Sequence, residues 1–350
     1  MPSTWALAPV FGPFFLSRYL LQKLKKRRYN VSSPFGTNKL RQKMEHGHDS
    51  SDPIEEYFLP REKVSFISVE GYQQVKLFRS IKDKSGPWVL FLHGLTFYTD
   101  ICAAFLNKLS RKHNVLSFDW PGVGGTDPSR NDIYTPQELL GFAEKVVEAA
   151  EPGLPGRGLS IVGHSMGGLM SLILATHYLK QGFDIKNVIM LAPAGVKVHK
   201  WMTHRLLTTP IIGPVLNFIF KRFPDATAKR IVYETRYNFH YMPKHMEEAL
   251  WEPFKKSMLR DTRVTAARTL AFAQFPWENH EELFIELDRS KVNAIVVLAG
   301  RDITIDTPAT ERFLRTKCSS ISIQVYPDYT HDLVACNADV ITEYISAVLP

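Results

Sequence analysis

Leu159-Ser160-Ile161-Val162-Gly163-His164-Ser165-Met166-Gly167-Gly168 is the stretch on which the fold turns. Its first half is a short apolar, β-branched run of the kind that forms a buried strand. Met166 to Lys180 then carries a helical pattern, so Gly163 and Ser165 fall on a strand-to-helix turn with Gly167 and Gly168 just past it. Glycines two residues before and two after the serine are what such a turn needs, because side chains there would collide across it. The turn lifts the Ser165 hydroxyl out of the sheet edge and aims the partial positive charge of the following helix at it.

Outward from this turn the chain repeats one rhythm. Val64 to Val69 and Gln74 to Phe78, joined at Glu70-Gly71, read as an antiparallel hairpin. Buried-strand runs follow at 88–94, 114–120, 159–165, 188–194, 294–300 and 320–328. Helical patterns separate most of them, at Asp100 to Arg111, Thr135 to Ala150, Met166 to Lys180, Pro308 to Thr316 and Asn337 to Val348. Alternating strand and helix predicts a mostly parallel sheet covered on both faces. Between Ala194 and Ala294 the rhythm breaks. This stretch has no strand pattern but several helical ones, including Ile211 to Phe220, Asp225 to Tyr233, Lys244 to Met258 and Arg263 to Phe275. A structureless loop of that length is implausible in a compact domain, so the stretch predicts an inserted helical cap.

A serine hydroxyl is a poor nucleophile until a base takes its proton, and the base needs an acid to orient it. Two loops leaving later strands supply candidates: Ala299-Gly300-Arg301-Asp302 and Asp328-Tyr329-Thr330-His331. Loops at the carboxyl ends of parallel strands converge on one edge of the sheet, so Ser165, Asp302 and His331 can meet there. Asp306 is the alternative acid. His164 cannot bend back to serve its neighbour and reads as a supporting residue. An oxyanion formed by attack on an acyl carbon needs two backbone donors; Met166 offers one N–H and Leu95, after His93-Gly94, the other. The His93 ring reads as a brace for its loop.

From about Lys63 onward the chain resembles the α/β-hydrolase superfamily, and within it the lysophospholipase and monoacylglycerol-lipase-like branch. The resemblance rests on FLHGL at 91–95, DWPGVGGTD at 119–127, GHSMGG at 163–168, LAGRDITID at 298–306 and His331. It implies an α/β-hydrolase fold: an eight-stranded, mostly parallel sheet with helices on both faces and a helical cap after the sixth strand. It also implies Ser165 as nucleophile, Asp302 as acid and His331 as base, with no cofactor and no metal. The expected activity is cleavage of a carboxylic ester of a lipid through an acyl-Ser165 intermediate. An acyltransferase using the same three residues, or a catalytically silent lipid-binding module, are the alternatives.

Charge and composition limit the partners. The formal charge is +8, but residues 1–44 hold nine of the 43 Lys and Arg and no acid, and the remaining 34 basic residues nearly cancel 35 acidic ones. A nucleic-acid surface would carry the excess on the folded domain, so nucleic acid is not expected as a partner. Trp5 to Leu21 is apolar apart from Ser17 and Arg18, is interrupted by Pro9, Gly12 and Pro13, and runs into Lys23-Leu24-Lys25-Lys26-Arg27-Arg28. Charge after rather than before the apolar stretch argues against a cleaved secretory signal. Aromatics beside a basic cluster suit a membrane surface, where each basic residue gains about 1 kcal/mol from anionic lipid. The positive-inside rule then leaves the enzyme facing the cytoplasm. The expected organisation is a membrane-associating segment at 1–29, a polar linker at 30–62, the core in two parts at 63–195 and 291–350, and the cap at 196–290. Cys102, Cys318 and Cys336 are an odd count without C-x-x-C spacing, which fits free thiols, and His46 and His48 lack a third ligand in reach. In the cap, Trp201, Met202, Leu206 and the nearly all-apolar Ile211 to Phe220 suit an acyl pocket or a lipid-facing lid. Arg222 and Lys229 are the basic residues considered there for a phosphate headgroup, or for a solvated face.

Overall fold

The computed structural model describes residues 54–349 apart from 131, 200–206, 208 and 240–243. The segment at 1–29 expected to associate with a membrane, most of the linker, both linker histidines, and Trp201, Met202 and Leu206 of the cap therefore lie outside the described residues. Among the described residues no helix is long and apolar enough to cross a membrane.

The expected sheet is present. Its strands are β1 (Val64–Val69), β2 (Tyr72–Ser80), β3 (Trp88–Leu92), β4 (Asn114–Phe118), β5 (Leu159–His164), β6 (Ile185–Leu191), β7 (Asn293–Ala299) and β8 (Ser322–Tyr326), in the order β1-β2-β4-β3-β5-β6-β7-β8. β1 pairs with β2 and β2 with β4 antiparallel, and every other pair is parallel. The hairpin turns at Gly71, whose φ of 92° is open to glycine without strain. β3, β4 and β5 are buried along their whole length, as strands covered on both faces must be.

Helices α1 (Ala103–Leu109), α2 (Pro136–Ala150) and α3 (Met166–Lys180) follow β3, β4 and β5. α1 is shorter than the pattern from Asp100 predicts, because tight turns take up Tyr98 to Asp100: Cys102 N–H reaches both Tyr98 O and Thr99 O. α2 starts where its signature says, with Thr135 accepting from Glu138 N–H at 3.2 Å and Pro136 at the first helical position. α3 is apolar nearly all round and buried. Ile54 to Lys63, at the end of the stretch read as a polar linker, folds into short 3-10 turns, and Glu56 there pairs with Lys108 and Arg111.

Between β6 and β7 stand α4 (Ile212–Arg222), α5 (Pro224–Phe239), α6 (Lys244–Leu259), α7 (Thr262–Ala273) and α8 (Glu281–Arg289). α4, α6 and α7 match the predicted helical patterns to within two residues at each end, whereas α5 continues to Phe239, six residues past the predicted end at Tyr233. Leu216 and Phe220 of α4 and Leu270 of α7 form a small apolar cluster with Leu207, apart from the main core. α8 is not among the patterns singled out above. It packs on α3, and Phe284 and Leu287 are fully buried in the main core. α9 (Thr307–Lys317), α10 (Leu333–Cys336) and α11 (Ala338–Val348) complete the chain.

Candidate active site

Ser165 lies between β5 and α3 with φ 58° and ψ −114°, a left-handed conformation that costs energy in any residue but glycine. The surrounding packing holds it there. Ser165 N–H donates to Leu191 O at 2.8 Å, and its carbonyl accepts from Leu169 and Ala194. The glycines have no alternative: a Cβ on Gly163 would lie 2.0 Å from Gly167 O, and one on Gly167 would lie 1.9 Å from Leu92 O. The chain thus pulls α3 against the end of β3 so closely that only hydrogen fits.

The loops after β7 and β8 bring the other two residues to this turn. His331 Nδ1–H donates to Asp302 Oδ2 at 2.7 Å, and Ser165 Oγ–H donates to His331 Nε2 at 2.8 Å. Asp302 is buried, and its second oxygen accepts from the backbone N–H groups of Thr304 (2.7 Å) and Ile305 (2.8 Å). The alternative acid goes elsewhere. Asp306 caps α9, accepting from Ala309 N–H. The Asp302 loop is fastened on two sides. Gly300 and Arg301 N–H bond to Tyr326 O and Tyr329 O, while His199 N–H and Asp306 N–H tie it to the chain leaving β6. Gly300 is another forced glycine, since a Cβ there would meet Pro327 O at 2.4 Å.

Burial alone would lower the His331 pKa, but the charge and hydrogen bond of Asp302, with Asp332 behind, outweigh it and leave the imidazole above its ordinary value. Asp332 was not singled out from the sequence. Burial pushes its carboxyl up to about 6 against the pull of His331.

Two further histidines brace the site and stay neutral. Burial pushes His93 down to about 3. Its Nδ1–H donates to Gly94 O at 2.8 Å, and its Nε2 accepts Trp120 N–H at 3.2 Å. This is the loop-bracing place expected for it, and it explains Trp120 in the DWPG run. His164 is pushed down to about 3 by burial and by the neighbouring His331, and its Nε2–H donates to His331 O at 2.8 Å. Asp119 joins the loops on the same edge, accepting from Thr99 N–H (2.7 Å) and Gly125 N–H (2.9 Å).

Met166 is the first residue of α3, so its N–H is one of the donors that a helix start leaves free. Gly94 touches the nucleophile turn: a Cβ on it would lie 3.3 Å from Ser165 Cβ. Leu95 follows in the turn closed by Phe97 N–H to Gly94 O. Chemically, this edge offers a hydroxyl joined through an imidazole to a carboxylate, beside two short backbone segments with donors.

No curated protein matches the sequence. Among solved structures the fold is shared with an enol-lactonase from Burkholderia xenovorans, at TM-score 0.62 and 17% identity over 81% of this chain and 98% of that one. It is shared with a bacterial membrane phospholipase A, at TM-score 0.61 and 14% identity over 96% and 97% of the two chains. A carboxylesterase from Bacillus subtilis aligns at TM-score 0.58 and 12% identity over 84% and 93%. At these identities the likeness is one of fold. The sequence model of the alpha/beta hydrolase family matches residues 89–342, most of the described chain, and the protein therefore belongs to the alpha/beta hydrolase family.

Proposed function

We propose that this protein is a serine hydrolase that cleaves a carboxylic ester of a lipid, of the lysophospholipid or monoacylglycerol type. The observation that carries the chemistry is the continuous relay Ser165 Oγ–His331 Nε2, His331 Nδ1–Asp302 Oδ2 at 2.8 and 2.7 Å. In this reading Ser165 Oγ attacks the ester carbonyl and its proton passes to His331 Nε2. The N–H groups of Met166 and Leu95 take the oxyanion. His331 then returns the proton to the leaving alcohol as the ester C–O bond breaks. Water attacks the acyl-Ser165 carbonyl and gives a proton to His331, and the acid leaves as Ser165 regains it. Asp302 holds the imidazole in the tautomer that can accept from Ser165.

The lipid half of the proposal rests on α4. Ile211 is 82% exposed, Phe218 70% and Val215 56%, on a helix that ends in Lys221 and Arg222 and has no acid. An exposed apolar stripe with basic residues at one end suits a membrane surface carrying anionic lipid, and residues 1–44 have the composition to hold the enzyme there, facing the cytoplasm. The chemistry is tested by labelling the full chain with a fluorophosphonate probe. Wild type is expected to label and Ser165→Ala to be blank; equal labelling of the two, or none of either, overturns the assignment.

A further inference from the structure

Arg268, on α7, occupies a place where a charge is hard to keep. The residue is 3% exposed, and among the described residues no carboxylate forms an ion pair with it. A guanidinium has five N–H donors. One on Nη1 meets Gly122 O at 2.9 Å, and one on Nη2 points at the Met258 thioether, a weak acceptor, at 3.3 Å. Beside it lies Tyr134, also 3% exposed, whose ring packs on Phe272 at 5.3 Å. The Tyr134 hydroxyl is buried beside the Ser129 backbone, and among the described residues no side chain forms a hydrogen bond with it. Both side chains converge on Gly122. A Cβ there would lie 3.0 Å from the Tyr134 hydroxyl and 3.7 Å from Arg268 Cδ.

This place borders the reacting edge of the sheet. Gly122 is two residues beyond Trp120, whose N–H bonds the His93 ring, and the next residue, Gly94, touches the Ser165 turn. His93 lies near enough for the Arg268 charge to contribute to keeping its ring neutral. A buried cation is costly to a fold unless something pairs with it. Here the described residues provide a carbonyl, a thioether and a neighbouring neutral hydroxyl, and no carboxylate paired with the guanidinium.

We propose that Arg268 and Tyr134 form an anion subsite for a phosphate on the substrate's leaving alcohol, which selects acylated glycerol phosphates over neutral acylglycerols. The inference rests on the ester-hydrolase reading of Ser165. A planar guanidinium fork with a hydroxyl beside it matches two phosphate oxygens and a third. The Gly122 carbonyl fixes the side chain before a ligand arrives, and the neutral His93 leaves no competing charge between the subsite and the nucleophile.

The test compares two esters that differ only in the anion, 1-oleoylglycerol 3-phosphate and 1-oleoylglycerol, with the full chain. Wild type is expected to favour the phosphorylated ester in kcat/KM by about tenfold or more, the scale of one charged hydrogen bond in a buried site. In Arg268→Gln that ratio falls to near one; in Arg268→Lys, which keeps the charge without the fork, and in Tyr134→Phe it lies between. A wild-type ratio near one, or a loss in Arg268→Gln that strikes both esters equally, overturns the proposal and makes Arg268 a clamp between α7 and the core. If Arg268→Gln does not fold, the Tyr134→Phe ratio decides, since phenylalanine keeps the ring on Phe272. A second readout needs no turnover. In Ser165→Ala, 1-oleoylglycerol 3-phosphate is expected to raise the melting temperature more than 1-oleoylglycerol or inorganic phosphate, and the added Arg268→Gln change to erase the difference. Equal protection by inorganic phosphate overturns the substrate assignment in favour of a free anion. Protection by the phosphorylated lipid without Ser165-dependent probe labelling would overturn the hydrolase reading alone.

Discussion

The turn that carries Ser165 and the helix that carries Arg268 both border the carboxyl edge of the sheet, yet different forces hold them there. At Ser165 the backbone decides. Gly163 and Gly167 sit where no Cβ fits, and the strained φ of 58° is held by three backbone hydrogen bonds, two to the end of β6 and the chain just past it, and one to α3. At Arg268 side chains decide, through one carbonyl contact, the Met258 thioether and the neighbouring rings of Tyr134 and Phe272, all three at the margin of the main core. A site fixed by backbone contacts tolerates almost no change but keeps its geometry, whereas one fixed by side chains can be retuned residue by residue. This division suits a hydrolase in which the chemistry is constant and the substrate varies.

The most severe way to break the comparison is to put a methyl group where the backbone allows none. Gly167→Ala would place Cβ 1.9 Å from Leu92 O, so α3 must move off β3 and take Ser165 with it. We expect a loss of more than about 4 kcal/mol, read as no soluble protein or a melting temperature lower by roughly 10 °C. A well-folded, active Gly167→Ala would show that the turn is less constrained than its contacts imply.

That same constraint is why the site could be read without a structure. A motif forced by close approach must appear as glycine in the sequence, and Gly163, Gly167 and the strand-helix context expose it. Asp302 and His331 were legible through topology, because loops after successive parallel strands meet at one edge. Asp302 is the acid the sequence favours over Asp306, and Asp306-Thr307-Pro308 has the form of a helix cap, which is what the structure makes of it. Gly300 and Asp332 carried no signal, since their importance lies in contacts between β7 and β8 that only the folded sheet creates. In the cap the helices were legible by period, but not the faces they bury. Arg263 and Arg268 look alike in the sequence of α7, yet the first is exposed and the second buried. The basic residues considered for a headgroup were Arg222 and Lys229. Both are exposed, and Arg222 lies over the Phe223 ring.

A smaller effect separates chemistry from scaffold within the relay. In Asp302→Asn the side-chain oxygen still accepts from Thr304 and Ile305, but the amide N–H₂ now faces His331 Nδ1 and favours the tautomer that cannot accept from Ser165. We expect kcat to fall by about 10³ to 10⁴ with little change in melting temperature. The pH profile carries a sign. His331 must be neutral to act as base, and its raised pKa places the acidic limb of kcat/KM above that of an ordinary imidazole. Without the Asp302 charge the lowering effect of burial gains ground, so the limb moves to lower pH. The same coupling stabilises the fold in acid, where His331 is charged, and that contribution fades as pH rises through the folded value. A limb that stays in place would mean that Asp302 does not govern the base.

The mildest test is made on the cap and sharpens the contrast most, because it separates stability from function. Ile211, Val215 and Phe218 lie one turn apart along one face of α4, while Leu216 and Phe220 on the other face fill the small cap core. Replacing the three exposed residues by serine removes apolar surface that packs on nothing among the described residues, so stability should change by no more than about 0.5 kcal/mol per site. Hydrolysis of a soluble short-chain ester should be unaffected, since the relay is untouched. Partition onto vesicles of mixed neutral and anionic lipid is expected to weaken about tenfold or more, because burying each such side chain in lipid is worth about 1.5–3 kcal/mol when complete and less when partial. Cleavage of a long-chain ester presented in those vesicles should fall in parallel. Lys221→Gln with Arg222→Gln would weaken the same partition in a salt-dependent way, whereas the serine triple variant would not respond to salt, so the two terms can be told apart. A melting temperature that drops sharply in the triple variant would show that this face packs against protein in the full chain, and the exposed stripe would then belong with the backbone-fixed half of the molecule rather than with the adjustable one.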